Sequence, residues 1–277
     1  YTIQRYALGF TEGAADVTVR ADGIWGDGTS AAWAKHTGTE PQPQPGGDPW
    51  ERCTVTDVSH WQGDISWPVM YEAGARGVIM KATQGLGFVD PRLAEHWPAV
   101  RASTDLVRGS YHLIELDDDP IAQAAHYVDT MADVGGWLVG DMRPALDIET
   151  SKIDEAMEKG ASGSLVRDRI LTWLQEVESL TGEAPFLYIS PRGIRHLGVD
   201  VRPLGEYPLW WVKRMSDPLN DPEVQAPWAE AALVQWSSTG ENGARFGVSS
   251  TEIDQNIYRG SAQLLRQAET FQEDWSR

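Results

Sequence analysis

One cysteine, Cys53, stands in the whole 277-residue chain, so no disulfide can form within it and cysteine usage leaves its compartment open. Its place beside an apolar run suggests a buried structural thiol. Basic residues are scarce as well: 23 Lys and Arg face 41 Asp and Glu, a formal net charge of -18. That balance repels nucleic-acid backbones and anionic lipid, which argues against DNA, RNA or a membrane as partner. No apolar run approaches the length of a membrane span, and no basic-then-apolar leader opens the sequence, although a first residue of Tyr1 rather than Met fits a processed or trimmed piece. The six histidines show no paired-ligand spacing, so no metal is expected. His112 alternates away from Tyr111 and reads as a structural histidine. Asp117-Asp118-Asp119-Pro120 lacks the alternating oxygen donors of a calcium loop and reads instead as a helix entry with Pro120 in the first turn. No Ser or Cys sits in a nucleophile-elbow pattern, which counts against acyl transfer. Nothing implies a cofactor.

What is present begins with size. The length and 41% hydrophobic content support a globular chain with one large domain and a small unit. Thirteen Trp supply flat amphipathic rings that sugar faces stack on, although cores use Trp too. Residues 1–37 form the small unit, in which Gly-rich turns lead to Thr29 as an N-cap and a short helix bearing Ala32 and Trp33. Residues 38–49, with four Pro and three Gly, read as a semi-extended tether. From residue 50 onward, apolar strand-like runs alternate with helical patterns, the signature of a βα barrel or doubly wound sheet. Eight strands are expected: 54–58, 77–82, 108–113, 144–148, 185–189, 208–212, 232–236 and 252–257. Eight suit a closed barrel. Val166, Ile170, Trp173, Leu174, Val177 and Leu180 recur at helical spacing, and Gly182 with Pro185 ends that helix. Helices are expected after the first five strands, whereas loops join the last three.

The chemistry centres on Ala145-Leu146-Asp147-Ile148-Glu149. Strand side chains alternate, so Asp147 and Glu149 share a face while Ile148 packs behind. Two acids held together resist ionising together, an asymmetry that glycoside cleavage uses, with one carboxyl staying protonated and another charged. The dipeptide spacing alone is also that of a strand end whose acids cap the next helix or face water. Other strand ends tip the balance, because Asp57 and Asp254 join Asp147 and Glu149 in recurring near strand ends that can line one mouth, as barrel sites do. Lys81, Gln84, Tyr111, Tyr188 and Trp210 sit at comparable positions and are candidate substrate-binding residues.

From Thr54 to Tyr258 the chain resembles the glycoside hydrolase family 25 lysozymes, or N-acetylmuramidases, through the ordered motifs DVSHWQG, ISW, IMKATQG, GSYH, ALDIE, TGEAPFLYIS, PLWWVK, VQWSS and EIDQN. The resemblance implies a (β/α)5(β)3 barrel that cuts the β-1,4 bond between N-acetylmuramic acid and N-acetylglucosamine in bacterial peptidoglycan. Asp57, Asp147, Glu149 and Asp254 match the family's acidic cluster, with Glu149 matching the general acid. Side-by-side placement of Asp147 and Glu149 favours retention through substrate assistance. Three departures bear on affinity and fine specificity: Gln84 stands where Glu is common, Ser66 where Asp is usual before Trp67, and Lys213-Arg214 where small and aromatic residues usually follow Trp210. Residues Asp22 to Thr29 resemble the D-G-x-x-G-x-x-T run of small peptidoglycan-binding domains, with 3–8 as a preceding helix. A chitinase-like glycosidase lacks support, since its D-x-x-D-x-D-x-E run is absent before Glu149, and intact acids argue against a non-catalytic wall-binding protein. A monomer acting on the bacterial cell wall is expected, whether secreted, phage-released or virion-associated.

Overall fold

A computed structural model describes residues 52–214, 223–237 and 242–275. The small unit and tether expected at 1–49 lie outside the described residues. Among the described residues, nine strands occur in chain order: β1 (Cys53–Val58), β2 (Ala75–Gln84), β3 (Phe88–Val89), β4 (Val107–Leu113), β5 (Ala145–Ile148), β6 (Phe186–Ile189), β7 (Leu209–Val212), β8 (Leu233–Ser237) and β9 (Asp254–Tyr258). They pair in the order β1-β9-β8-β7-β6-β5-β4-β2-β3, and pairing of β1 with β2 closes the ring. Eight of them make the barrel; β3 is a short strand that folds back antiparallel on the end of β2. Gly85, at φ 55°, makes the turn between the two.

Seven helices are described: α1 (Trp67–Glu72), α2 (Leu93–Ser103), α3 (Pro120–Asp133), α4 (Thr150–Glu158), α5 (Gly163–Thr181), α6 (Pro191–Leu197) and α7 (Ala262–Ala268). Each of the first five barrel strands is followed by helix, as the patterns require. Among the described residues, only a three-residue 3-10 turn (Ala244–Phe246) interrupts the connections between β7, β8 and β9. Local chemistry sets these boundaries. Asp119 caps α3 by accepting from the amides of Ile121 and Ala122, with Pro120 at the first helical position. Ser162 caps α5 and Gly182, in the left-handed region, ends it.

Alternation along the strands separates two apolar layers. Val55, Ile79, Val107, Ala145, Phe186, Leu233 and Tyr258 fill the barrel interior. Val58, Val78, Met80, Leu146, Ile148, Leu187, Trp211 and Val234 face the helices. The base of the barrel is plugged by Met142 and by Leu265 of α7. Gly77 and Gly109 make room for that plug, since a Cβ at Gly109 would lie 3.0 Å from Met142 Cβ. The buried pairs Arg108–Asp141 and Arg143–Glu269, with N–O distances of 2.8 and 3.2 Å, tie the connections around the base. Polar groups that are not needed for this scaffold therefore collect at the other end, where β1, β2 and β4 to β8 terminate. No helix among the described residues is long and apolar enough to cross a membrane.

The first turn of α5 rests directly on the end of α6. A Cβ on Gly163 would fall 1.8 Å from the Leu197 carbonyl oxygen, which is backbone and cannot swing aside. Gly163→Ala should therefore destabilise the chain by about 1 to 3 kcal/mol, the usual range for overpacking. Thermal unfolding would show this as a drop of several degrees, and an unchanged midpoint would mean that the two helices separate easily.

Candidate active site

β9 is the strand that completes the site. It runs antiparallel to β1 and β8, so its first residue, Asp254, arrives at the mouth where the parallel strands end. Asp254 lies directly opposite Asp57 in the β1–β9 register. Asp147 enters from β5, paired in register with Leu113 on one side and Tyr188 on the other. Glu149 follows with extended backbone (φ -78°, ψ 141°), which keeps it on the face of Asp147. Although Glu149 occupies the position before α4, its side chain makes no cap hydrogen bond. Its Oε2 instead accepts from Ser151 Oγ at 3.0 Å. The capping alternative therefore has no support, and the four acids converge.

They sit at graded depths. Asp57 is buried, Asp147 and Asp254 are half-buried, and Glu149 is exposed. Of the pair Asp147 and Glu149, partial burial thus falls on Asp147 rather than on Glu149. Burial pushes the Asp147 carboxyl well above the usual carboxylate range, and repulsion from Glu149 and Asp57 adds to it, with Lys81 opposing. Burial also raises Asp57, against hydrogen bonds from Asn256 and Gln235. Asp254 is pushed up to about 9 by burial, then by the charge of Asp57 and the hydrogen bond they share. These two acids hold a proton between them at neutral pH.

A network of amides and rings fixes Asp57. Its Oδ2 accepts from Asn256 Nδ2 at 2.8 Å and from Gln235 Nε2 at 3.0 Å. Trp210 Nε1 donates to Asn256 Oδ1 at 2.7 Å, and Tyr188 Oη donates to Gln235 Oε1 at 2.8 Å. Each donation orients an amide so that its NH2 points at the carboxylate. Trp210 is buried, packs edge-on against Tyr188 and supports the acids from within the barrel. Tyr111 and Tyr188 face the cluster from β4 and β6. Burial pushes both phenols well above their usual range, with Asp147 the next cause, so they remain neutral.

Lys81 is the cation of the cluster. Burial lowers it, while Asp147, Asp90 and Glu149 hold its charge. Its Nζ donates to Gln84 Oε1 at 2.6 Å; Gln84 Nε2 donates to Glu115 Oε1 at 2.7 Å; and Lys152 Nζ donates to Glu115 Oε2 at 2.8 Å. Gln84 therefore fits where a second carboxylate would oppose Glu115, and Glu115 carries the charge at this part of the rim. Glu115, Lys152 and the bracing residue Asp90 were not among the sequence candidates. Continued alternation from Tyr111 through Leu113 is the signal that could have found Glu115, whereas Lys152 looks like any solvated helix residue. His112 is the structural histidine anticipated: buried, hydrogen-bonded to Thr83 and Gln123, stacked on Trp173, and pushed down to about 3 by burial.

Acids around a barrel mouth, one of them projecting and the others set deeper, are a glycoside-cleaving arrangement. The family model described as Glycosyl hydrolases family 25 matches residues 56–243. Lysozyme M1 of Streptomyces globisporus is 26% identical over 212 residues, covering 76% of this chain and 68% of that protein. The N,O-diacetylmuramidase of Chalaropsis sp is 30% identical over 140 residues, covering 49% and 64%. The crystal structure of a bacterial lysozyme from Streptomyces coelicolor superposes with a TM-score of 0.66 at 27% identity, covering 78% of this chain and 96% of that one. The chain belongs to glycosyl hydrolases family 25 and is a glycoside hydrolase.

The raised Asp254 carboxyl has a thermodynamic consequence. In the folded chain it keeps its proton to about pH 9, whereas an unfolded Asp loses it near 3.8. Its contribution to stability is therefore fully present below about pH 4 and is lost as the pH rises towards about 9. Asp254→Asn removes that titration while keeping a donor towards Asp57. The melting temperature of the parent should fall more steeply over this window than that of the variant. Equal slopes would show that Asp254 is not held protonated.

Proposed function

We propose that Glu149 is the general acid with which this peptidoglycan hydrolase, a glycoside hydrolase of lysozyme type, cleaves the β-1,4 bond between N-acetylmuramic acid and N-acetylglucosamine. The observation that carries this reading is the gradient of depth: Glu149 is the exposed acid of the four, placed to reach a glycosidic oxygen, while the others lie deeper. A saccharide laid across the mouth would cover Glu149 and bring its carboxyl against the bond to be cleaved.

Asp147 serves as the orienting carboxylate for the substrate's own acetamido group. Residues i and i+2 on one strand stand roughly 6.5 Å apart and side by side, whereas a nucleophile and acid pair sits across the scissile bond at about 5 Å. Asp147 Oδ1 is buried and has no hydrogen-bond partner among the described residues, which suits an acceptor waiting for an acetamido N–H. The acetamido carbonyl oxygen would then attack the anomeric carbon as Glu149 protonates the leaving oxygen; water, losing its proton to the Glu149 carboxylate, would attack the same carbon and break the bond to the acetamido oxygen, giving net retention and restoring the acid. Asp57 and Asp254 hold the sugar and set the charge beneath it. Because one chain supplies all four acids, a monomer suffices. Residues 1–49 would add wall affinity rather than chemistry.

Glu149→Gln should fold like the parent and lose on the order of a hundred- to ten-thousand-fold in activity on cell walls. A variant within a few-fold of the parent would move the acid elsewhere. Proton NMR of the first-formed anomer should report retention; an inverted product would recast one carboxylate as the base for water. Deleting residues 1–49 should weaken pelleting with insoluble walls while sparing cleavage of short soluble glycans. Equal losses on both would mean that this segment completes the site.

A further inference from the structure

Trp61 is 76% exposed, the highest value for a large hydrophobic residue among the described residues, yet it sits on a tightly braced turn. The 3-10 turn His60–Gln62 follows β1 immediately, so Trp61 stands four residues beyond Asp57 at the mouth. Ser59 and Gln62 form a reciprocal capping box across it. Gln62 O accepts from Ser249 N at 3.1 Å and from Ser250 N at 3.3 Å, tying the turn to the segment before β9. The deepest brace is Asp90, itself 3% exposed: its Oδ2 accepts from His60 N and lies against His60 Nδ1, both at 2.9 Å, and its Oδ1 accepts from Arg92 N at 2.9 Å. A buried carboxylate is thus spent on holding a surface turn still.

His60 is flanked by two rings. Its centroid lies 4.7 Å from Trp61 and 5.6 Å from Phe88, which is also partly exposed on β3. Lys81 Nζ lies 5.3 Å from the centroid of Phe88, so the aromatic group runs into the cation that faces Asp147 and Glu149. An aromatic face that is rigid before binding loses little conformational entropy when it is covered. The rings of Trp61 and Phe88 are tilted by 36° and 51° to that of His60, so the flat face is that of the exposed Trp61 indole; amphipathic and continuous with a sugar-cleaving mouth, it matches the C–H face of a pyranose rather than an anionic surface, which the chain's charge of -18 repels.

We propose that His60, Trp61 and Phe88 form a sugar-stacking platform that binds a pyranose of the glycan strand away from the bond being cleaved. This rests on the glycan-hydrolase reading above. The platform gives the enzyme a preference for strands long enough to span from the acids to the β1–β3 rim.

Two separate readouts test it, both on the full chain. Binding without turnover is measured by calorimetry with soluble, peptide-free peptidoglycan strands of graded length, in a Glu149→Gln background. Adding Trp61→Ala should weaken affinity for the longest strands about five- to fifty-fold, the range for uncovering one aromatic side chain. The penalty should shrink as strands become too short to reach the rim. Trp61→Phe should recover much of the loss, and Phe88→Ala should show the same length dependence. Equal affinity with and without Trp61→Ala, a penalty independent of length, or no binding by either protein would overturn the platform. Cleavage of the same strands by the parent is scored separately. Failure to cleave would remove the proposed reaction, while the platform stands or falls on the binding series.

Discussion

Four carboxylates packed into one barrel mouth repel one another, and the architecture of the site follows from how that repulsion is contained. At 4 Å, two like charges cost about 4 kcal/mol at an effective dielectric constant near 20, so leaving all of them ionised would work against folding. The chain responds by withholding ionisation. Asp254 shares a proton with Asp57, and Asp147 is pushed well above the usual range. It also surrounds the cluster with neutral donors. Asn256 and Gln235 point their amides at Asp57, and Trp210 and Tyr188 hold those amides in place.

The arrangement grades the four acids by depth. Depth in the mouth favours retention of a proton and exclusion of water; exposure favours contact with a substrate bond. Asp57 occupies one extreme and Glu149 the other, with Asp147 and Asp254 between. Along the rim, Lys81 is connected through Gln84 and Glu115 to Lys152, so the cation is anchored without a carboxylate pressed directly against it. That chain gives a physical meaning to Gln84. Its amide complements an ammonium on one side and a carboxylate on the other, a task that an acid at the same position could not perform.

Much of the barrel could be read from the sequence, because its strands are short apolar runs between turn residues and its longest helix carries a clean helical period ending at Gly182. Burial on a βα scaffold imposes those patterns locally, so Val166 to Leu180 announce α5 without reference to the rest of the chain. The acid pair at Asp147 and Glu149 was legible for the same reason, since alternation along one strand fixes which side chains share a face. The aromatic β3 hairpin was not, because Phe88 and Val89 are too few to show a period.

Direction, depth and partnership belonged to the tertiary structure. Nothing in Glu252-Ile253-Asp254-Gln255-Asn256 says which way the strand runs, and in a parallel orientation Asp254 would lie at the base rather than opposite Asp57. Exposure of Glu149 and burial of Asp147 depend on α4 starting where it does. Glu115 and Asp90 gained their roles from groups some thirty residues away, Gln84 at 31 positions and His60 at 30. Sequence determined which residues could form strands, helices and an acidic face, since those are local consequences of side-chain spacing. Only closure of the barrel decided which acids meet and which of them keep a proton, because those depend on distances through space that no local pattern encodes.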